Sequence, residues 1–379
     1  MNRIIIVGCG LTGAVAAKYY ADKGYKVDIY DRRDHIAGNM YDYIDSNGIM
    51  VHKYGPHVFH TNSEHLASFM MKYSEWVPFH VTSQVEMCGK STPSPFNFQT
   101  IDDYYSIEEA AQIKKALLTK YPNQSTVTIV ELLENDDPYI KKYAKFLFER
   151  DYSLYTAKQW GIKPEEIDVS VLKRVPVRLS YEDGYFNDLW QMVPKKGYTA
   201  WFQQLLNDSN IDIHLSIEAL NHISFSEDKV LWDNKEYMIF YTGALDELFS
   251  CRFGKLPYRS LRFVWKTENV HLSKKAALTA LPEDAEVTRI TEYNQFPQAE
   301  NQNVTSLAYE YPISYTTDKD IEPYYPILTG DSMKLHKQYL ELAKQYANLT
   351  VAGRLANFKY YNMDQALNAV FNVLNNKNI

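Results

Sequence analysis

Cysteine is scarce in this chain: among 379 residues there are three, Cys9, Cys88 and Cys251, an odd number with no C-x-x-C pair. That argues against a disulfide framework or a structural zinc site and for a reducing compartment, the cytoplasm by default. An excess of positive charge is also missing. Lys and Arg number 40 against 47 Asp and Glu, a net charge of −7, the wrong sign for general binding of nucleic acid or anionic membrane, so an anionic ligand needs locally concentrated cations. No apolar run reaches the ~18 to 20 residues of a membrane span. The stretch after Arg3 imitates a secretory signal but is broken by Gly8, Gly10 and Gly13. There is no G-x-S-x-G elbow, which disfavours an α/β serine hydrolase. His57-x-x-His60 lacks the helical setting and third ligand of a metal site, and no metal is expected. Cys88-Gly89-Lys90-Ser91 has Gln84 where a P-loop has its leading glycine, so it reads as a turn.

What is present is an ordinary globular mixture, 45% hydrophobic and 23% charged, long enough for two or three domains. The 31 tyrosines suit either a core or a pocket that stacks rings and donates hydroxyl hydrogen bonds. The chain opens on a β-branched run, residues 3–7, that reads as a strand buried on both faces. Gly8-Cys9-Gly10-Leu11-Thr12-Gly13 follows as G-x-G-x-x-G, then a helix from Ala14 to Lys23 closed by Gly24. The next strand, Lys26 to Tyr30, ends at Asp31, 21 residues after Gly10, close to the spacing at which an acid meets ribose hydroxyls. Gly8 permits the tight turn, Gly10 lets backbone N–H groups approach a pyrophosphate, and Gly13 lets helix pack on strand. A dinucleotide site follows, with NAD and FAD both open.

Residues 101–170 show helical spacing, and residues 221–320 shift to β-rich runs separated by turn residues. A strand at Leu349 to Ala352 leads through Gly353-Arg354 to a helix with Met363, Ala366, Leu367, Val370, Phe371 and Leu374 on one stripe.

Several segments together resemble the flavin-dependent UDP-galactopyranose mutases. They are Asp34-His35-Ile36-Ala37-Gly38-Asn39, residues 52–61, Tyr155 through Trp160-Gly161, and Lys173-Arg174 with Tyr185-Phe186. Thr288-Arg289-Ile290-Thr291-Glu292, Pro323-Tyr324-Tyr325-Pro326, and Gly353-Arg354 through Tyr360 complete the set, in family order over nearly the whole chain. The resemblance implies an α/β fold with a Rossmann-type FAD-binding domain, a helical insertion and an antiparallel β-sheet domain. The expected division is 1–78, 195–247 and 325–379 for FAD, 100–194 helical with a mobile flap at about 162–178, and 79–99 with 248–324 as the substrate sheet. It implies an isomerase that interconverts UDP-galactopyranose and UDP-galactofuranose through a covalent adduct of the sugar anomeric carbon with N5 of reduced FAD.

Residue by residue, the resemblance makes Arg174 and Arg289 the diphosphate arginines. Tyr185 and Tyr325 become phosphate hydroxyl donors, Tyr360 a neighbour of sugar and phosphate, and Tyr155 and Trp160 the uracil aromatics. His57 lies under the flavin ring and, with Arg174, Arg289 and Tyr360, in the catalytic set. Gly8, Gly10, Thr12, Gly13, Asp31, Arg32, Gly38, Asn39, His57, Gly353, Arg354 and Met363 are the expected FAD contacts. Flap closure is expected to bring Arg174 onto the phosphate. A homodimer is the implied assembly, with a nucleotide-sugar substrate, no nucleic acid and no membrane insertion.

Three positions depart from the family pattern. Ala37 replaces a common glycine and is tolerated if its φ is negative. Asn362 replaces a usual aspartate beside sugar and flavin, and Asp151 falls where an aromatic is usual. They leave open a sister mutase for UDP-N-acetylgalactosamine or dTDP-fucose; the alternatives from other classes are an amine-oxidase-like flavin oxidoreductase and a flavin-binding protein without catalysis, the latter hinted at by Asn362 alone.

Overall fold

The structure is a computed structural model that describes residues 3–161, 175–269, 276–299, 303–316 and 321–376. Its organising element is a five-stranded parallel sheet in the order Ile211–His214, Lys26–Tyr30, Arg3–Val7, Met238–Tyr241, Leu349–Val351. The opening apolar run sits at its centre and is split between two cores. Ile4 and Ile6 join the helices Leu11–Asp22, Tyr198–Leu205 and Met363–Asn376 on one face. Ile5 and Val7 join the helix Gly330–Ala343 on the other. Period-two alternation thus buries both faces, as a parallel sheet covered by crossovers requires. The first helix starts at Leu11, three residues before the expected Ala14, because Gly10 is its N-cap.

A seven-stranded sheet stands beside it, in the order Tyr325–Pro326, Tyr258–Asn269, Val304–Ser314, Arg289–Glu292, Leu278–Ala280, Ser83–Met87, Lys90–Ser94. The expectation of an antiparallel sheet needs correction at one seam. Leu278–Ala280 and Ser83–Met87 run parallel, since the segment from residue 79 to 99 returns to the sheet as its own hairpin. Cys88 and Gly89 form that hairpin's turn with φ of 50° and 71°, as two-residue hairpin loops favour. The strand Trp190–Pro194, placed by the sequence in the helical segment, instead pairs with Phe59–Thr61 and Trp76–Pro78. Its neighbours in space, not in sequence, satisfy its backbone.

The helical unit comprises Phe98–Tyr104, Ile107–Lys120, Ile129–Leu133 and Pro138–Leu147, with its own core around Ile113, Leu132 and Tyr143. Asn97, Ser106, Thr128 and Asp137 cap these helices with side-chain oxygens, each worth about 1 kcal/mol. A π-helical turn, Phe148–Tyr152, then leads into Ser153–Trp160. That last helix ends on Gly161 in the left-handed conformation.

Candidate active site

A cavity of about 740 Å³ opens where the carboxyl ends of the parallel strands, the seven-stranded sheet and the helix Ser153–Trp160 meet. Open α/β sheets place ligands at that strand edge. All but two of the expected site residues line it. Arg174 and most of the flap lie outside the described residues, and Trp160 is placed in its helix by its backbone.

One end is built by the glycine turn. A Cβ at Gly13 would stand 1.9 Å from the Gly8 carbonyl oxygen, so helix and strand approach as only glycine allows. At Gly38 a Cβ would stand 2.8 Å from Gly10 Cα, bringing the two loops into backbone contact. Ala37 has φ of 74°, so the condition of a negative φ under which its methyl is readily tolerated is not met. Its N–H donates to the Cys9 carbonyl at 3.0 Å, and that tie between loops holds the left-handed turn. Asp31 accepts N–H bonds from Cys9 at 2.7 Å and Arg33 at 2.9 Å, so its carboxylate braces the glycine turn as well as lining the cavity.

Arg32 reaches Glu247 at 3.2 Å and Glu322 at 3.5 Å. Arg33 forks onto Glu322 and donates to Asn39 at 2.8 Å. Sequence reasoning missed Arg33 and Glu322; the adjacent arginine pair was the available signal. Burial pushes the Glu322 carboxyl up, but hydrogen bonds and charge from Arg33 and Arg32 hold it below its ordinary value.

At the middle, the His57 ring Nδ1 lies 2.8 Å from the Gly55 carbonyl and so carries its proton, leaving Nε2 as an acceptor. The His57 backbone N–H donates to Nδ1 of buried His52 at 2.9 Å. Burial, and after it the charges of Arg354 and Arg289, lower the His57 pKa to about 4 against the help of Gly55. His57 is neutral at physiological pH. His60, its motif partner, pairs with Asp188 at 2.8 Å and stacks on Phe186. Arg354 donates from Nη2 to the Tyr324 carbonyl at 2.6 Å, while its buried Nε has no acceptor among the described residues. An N–H without a partner at a cavity wall is a place for a ligand oxygen.

The other end is assembled by sheet register. Arg289 and Glu310 are directly opposite on adjacent antiparallel strands. Glu310 accepts Nε at 2.8 Å and Nη2 at 3.0 Å, a two-pronged pair that aligns the guanidinium and leaves three N–H groups for a ligand. Burial disfavours the Arg289 charge, but Glu310, with Tyr155 and Tyr325 beside it, more than restores it. Glu310 was not predicted, since a buried acid inside a tyrosine-rich strand has no local signature. Tyr325 stacks on Tyr360 with centroids 5.1 Å apart. Burial raises both Tyr155 and Tyr325 above the ordinary phenol range, so each keeps its O–H. Tyr185 and Asn362 line the same wall, and the Asn362 N–H is held by the Gln365 side chain at 3.0 Å.

A sequence model described as UDP-galactopyranose mutase matches residues 151–360, more than half of the chain, and one for an NAD(P)-binding Rossmann-like domain matches residues 6–73. The chain belongs to the UDP-galactopyranose mutase family. A probable UDP-galactopyranose mutase of Klebsiella pneumoniae is 36% identical to this family member over 96% of the chain and 91% of the relative. A dTDP-fucopyranose mutase of Escherichia coli is 35% identical over 96% and 95%. The crystal structure of a reduced UDP-galactopyranose mutase superposes with a TM-score of 0.72 at 19% identity, covering 100% of this chain and 97% of that one. A putative protoporphyrinogen oxidase from Exiguobacterium shares the fold at a TM-score of 0.66 and 12% identity, over 99% and 98%.

The enzyme is thus an isomerase of a flavin-dependent family, and its cofactor is FAD. The residues present fit that group. Glycine loops in backbone contact give a pyrophosphate close approach, Arg354 Nε offers an unused donor, and the cavity is continuous from the loops to Arg289. Among the described residues no helix is long and apolar enough to cross a membrane.

Proposed function

We propose that this mutase interconverts the pyranose and furanose forms of UDP-galactose. The observation that carries the reading is that Arg289, aligned by Glu310, opens onto the same cavity as the glycine turn and Arg354. Reduced FAD supplies a nucleophile for the anomeric carbon when bound. The chain's own residues do the rest. Arg289 grips the diphosphate with its remaining N–H groups and stabilises the negative charge that grows on it as the sugar bond breaks. Tyr155, Tyr185, Tyr325 and Tyr360 line the surrounding wall and add neutral hydroxyl donors there. Their phenols donate without adding charge. Neutral His57, fixed by Gly55, offers an acceptor beside the flavin without competing for the phosphate. Gly8, Gly10, Thr12, Gly13, Asp31, Arg32, Gly38, Asn39, Gly353, Arg354 and Met363 hold the cofactor. Arg174 and Trp160 are assigned by resemblance to phosphate and uracil. The protein is assigned to the cytoplasm, consistent with its unpaired thiols, and to a homodimer by resemblance alone.

A second reading, dTDP-fucose as substrate, is favoured by Asn362 at the cavity wall and by the fucopyranose mutase relative. The test incubates dithionite-reduced and oxidised protein with UDP-galactofuranose and, in parallel, dTDP-fucofuranose, separating products by anion exchange. Conversion of the uridine substrate by the reduced form alone is the expected result. Preference for the thymidine substrate moves the assignment to the sister activity, and conversion of neither by flavin-loaded protein removes the mutase reading.

A further inference from the structure

Six carboxylates line the cavity, and five of them are engaged. Asp31 takes two backbone N–H groups. Glu218 takes the Leu220 N–H. Glu247 and Glu322 hold Arg32 and Arg33, and Glu310 holds Arg289. The sixth, Asp151, makes no hydrogen bond or ion pair among the described residues. Asp151 is partly exposed at the cavity wall, so its carboxyl is open to a ligand bound there, which would take the place of its water.

Its position gives the direction of the answer. Asp151 belongs to the π-helical turn Phe148–Tyr152, a feature that recurs at functional sites because it re-aims side chains. Asp151, Tyr155 and Gln159 are spaced by four residues and, with Thr156, all line the cavity, so they share a face. Tyr155 in turn lies within the electrostatic reach of Arg289. Val85, Phe96, Leu278 and Ala280 line the same cavity. Aromatic and apolar lining with one acid that has no partner among the described residues, and an arginine within electrostatic reach of Tyr155, suits a nucleobase better than a sugar.

We infer that Asp151 reads the imide edge of uracil or thymine as a neutral carboxylic acid, its O–H donating to a ring carbonyl and its C=O accepting the ring N–H. The inference rests on the nucleotide-sugar reading above. A neutral carboxyl presents one donor beside one acceptor, the complement of an imide; an ionised one presents two acceptors, the complement of the two N–H groups of guanine. Protonation state therefore becomes base choice. Burial raises the Asp151 pKa to about 7, with Lys158 on its own helix pulling the other way. Among the described residues the other groups to name are Tyr152 and Tyr155, both held as neutral phenols by burial, Arg289 already balanced by Glu310, and Arg178 on the cavity wall. A diphosphate bound at Arg289 adds negative charge and favours the neutral acid further.

The experiment measures the affinity of the oxidised holoenzyme for UDP-galactose at pH 6 and pH 8.5 by calorimetry, with wild type, Asp151→Asn and Asp151→Ala checked for flavin content. UDP-galactose is used because its diphosphate has no ionisation in this range. Wild-type affinity is expected to fall on the order of tenfold at the higher pH. Asp151→Asn, which presents the same donor and acceptor at any pH, holds the low-pH affinity throughout. Asp151→Ala is about tenfold weaker at pH 6 and flat with pH. UDP-galactose binding that is flat with pH in the wild type, or an Asp151→Asn variant whose affinity falls with pH as the wild type's does, overturns the inference while leaving the mutase reading standing. Absence of binding by every variant at both pH values overturns both.

Discussion

The two ends of the cavity are built by different physics. The glycine end uses backbone: Gly8, Gly10, Gly13, Asp31 and Gly38 fall within one βαβ stretch, and their work is close approach and N–H placement. The arginine end uses side chains gathered from three regions, with Tyr155 on a helix, Arg289 and Glu310 on paired strands, and Tyr325 and Tyr360 on later segments. Backbone contacts tolerate few residue types and leave a spacing pattern. Side-chain contacts depend on register and can be made from many sequences. Hence the glycine end is matched by a Rossmann-like domain model over residues 6–73, whereas the match described by the mutase name, over residues 151–360, covers the arginine end.

If the arginine end rests on register, its weakest member is the buried carboxylate. Glu310 is 2% exposed, and Glu310→Ala leaves Arg289 without its aligning partner. A loss of about 3–5 kcal/mol in stability is expected, read by urea unfolding, together with weaker UDP binding and unchanged flavin content in the folded fraction. Flavin loss in proportion to nucleotide affinity would erase the distinction between the ends.

The middle of the cavity titrates. His57 is held near 4 from an ordinary 6.5, burial being the main cause. The folded state therefore resists a proton that the unfolded chain accepts. Stability from this group is complete above pH 6.5 and is lost as pH falls toward 4, amounting to about 3 kcal/mol at about 1.4 kcal/mol per tenfold in proton affinity. Buried His52, lowered by burial and by His57, acts in the same direction. Urea midpoints measured from pH 7 to pH 4 should fall steeply for wild type and less steeply for His57→Asn. Equal slopes would mean that the ring is not buried neutral.

What could be read from the sequence follows the same division. Strand, glycine turn, helix and acid lie within 31 residues of the start, and the local pattern gives their geometry directly. The Arg289 and Glu310 pair is separated by 21 positions, and its meeting depends on a register that no window contains. Arg33 stands beside Arg32 in the sequence, and only the structure shows that both line the cavity and reach Glu322. Trp190–Pro194 was misplaced because its pairing partners, Phe59–Thr61 and Trp76–Pro78, lie more than a hundred residues earlier. Asp151 was visible as a departure from a family pattern, but only the structure places it among five engaged acids.

The glycine end makes the sharper steric forecast and the smaller energetic one. Gly13→Ala forces a methyl to within 1.9 Å of the Gly8 carbonyl, so helix and strand must separate. A cost of about 2 kcal/mol is expected, read as weaker flavin retention on dialysis, with UDP affinity preserved at the other end. A variant that keeps its flavin would show that the two elements yield more easily than their packing suggests.

Ala37 gives the finest test, because there the sequence and the backbone disagree. Its φ of 74° is a conformation in which a Cβ is strained, yet the side chain is fully buried and the N–H to Cys9 carbonyl bond is intact. The loop connection, not the residue's own preference, sets that geometry. Replacing Ala37 by Gly removes the strain and also enlarges the conformational freedom of the unfolded chain, two effects of opposite sign. Strain relief in the left-handed region is worth about 1–2 kcal/mol, and the entropic penalty about 0.4–1 kcal/mol, so Ala37→Gly should stabilise by no more than about 1 kcal/mol. Thermal unfolding of the holoenzyme measures it. A lower melting temperature would mean that the buried methyl's packing outweighs the backbone strain, and that this end too depends on a side chain.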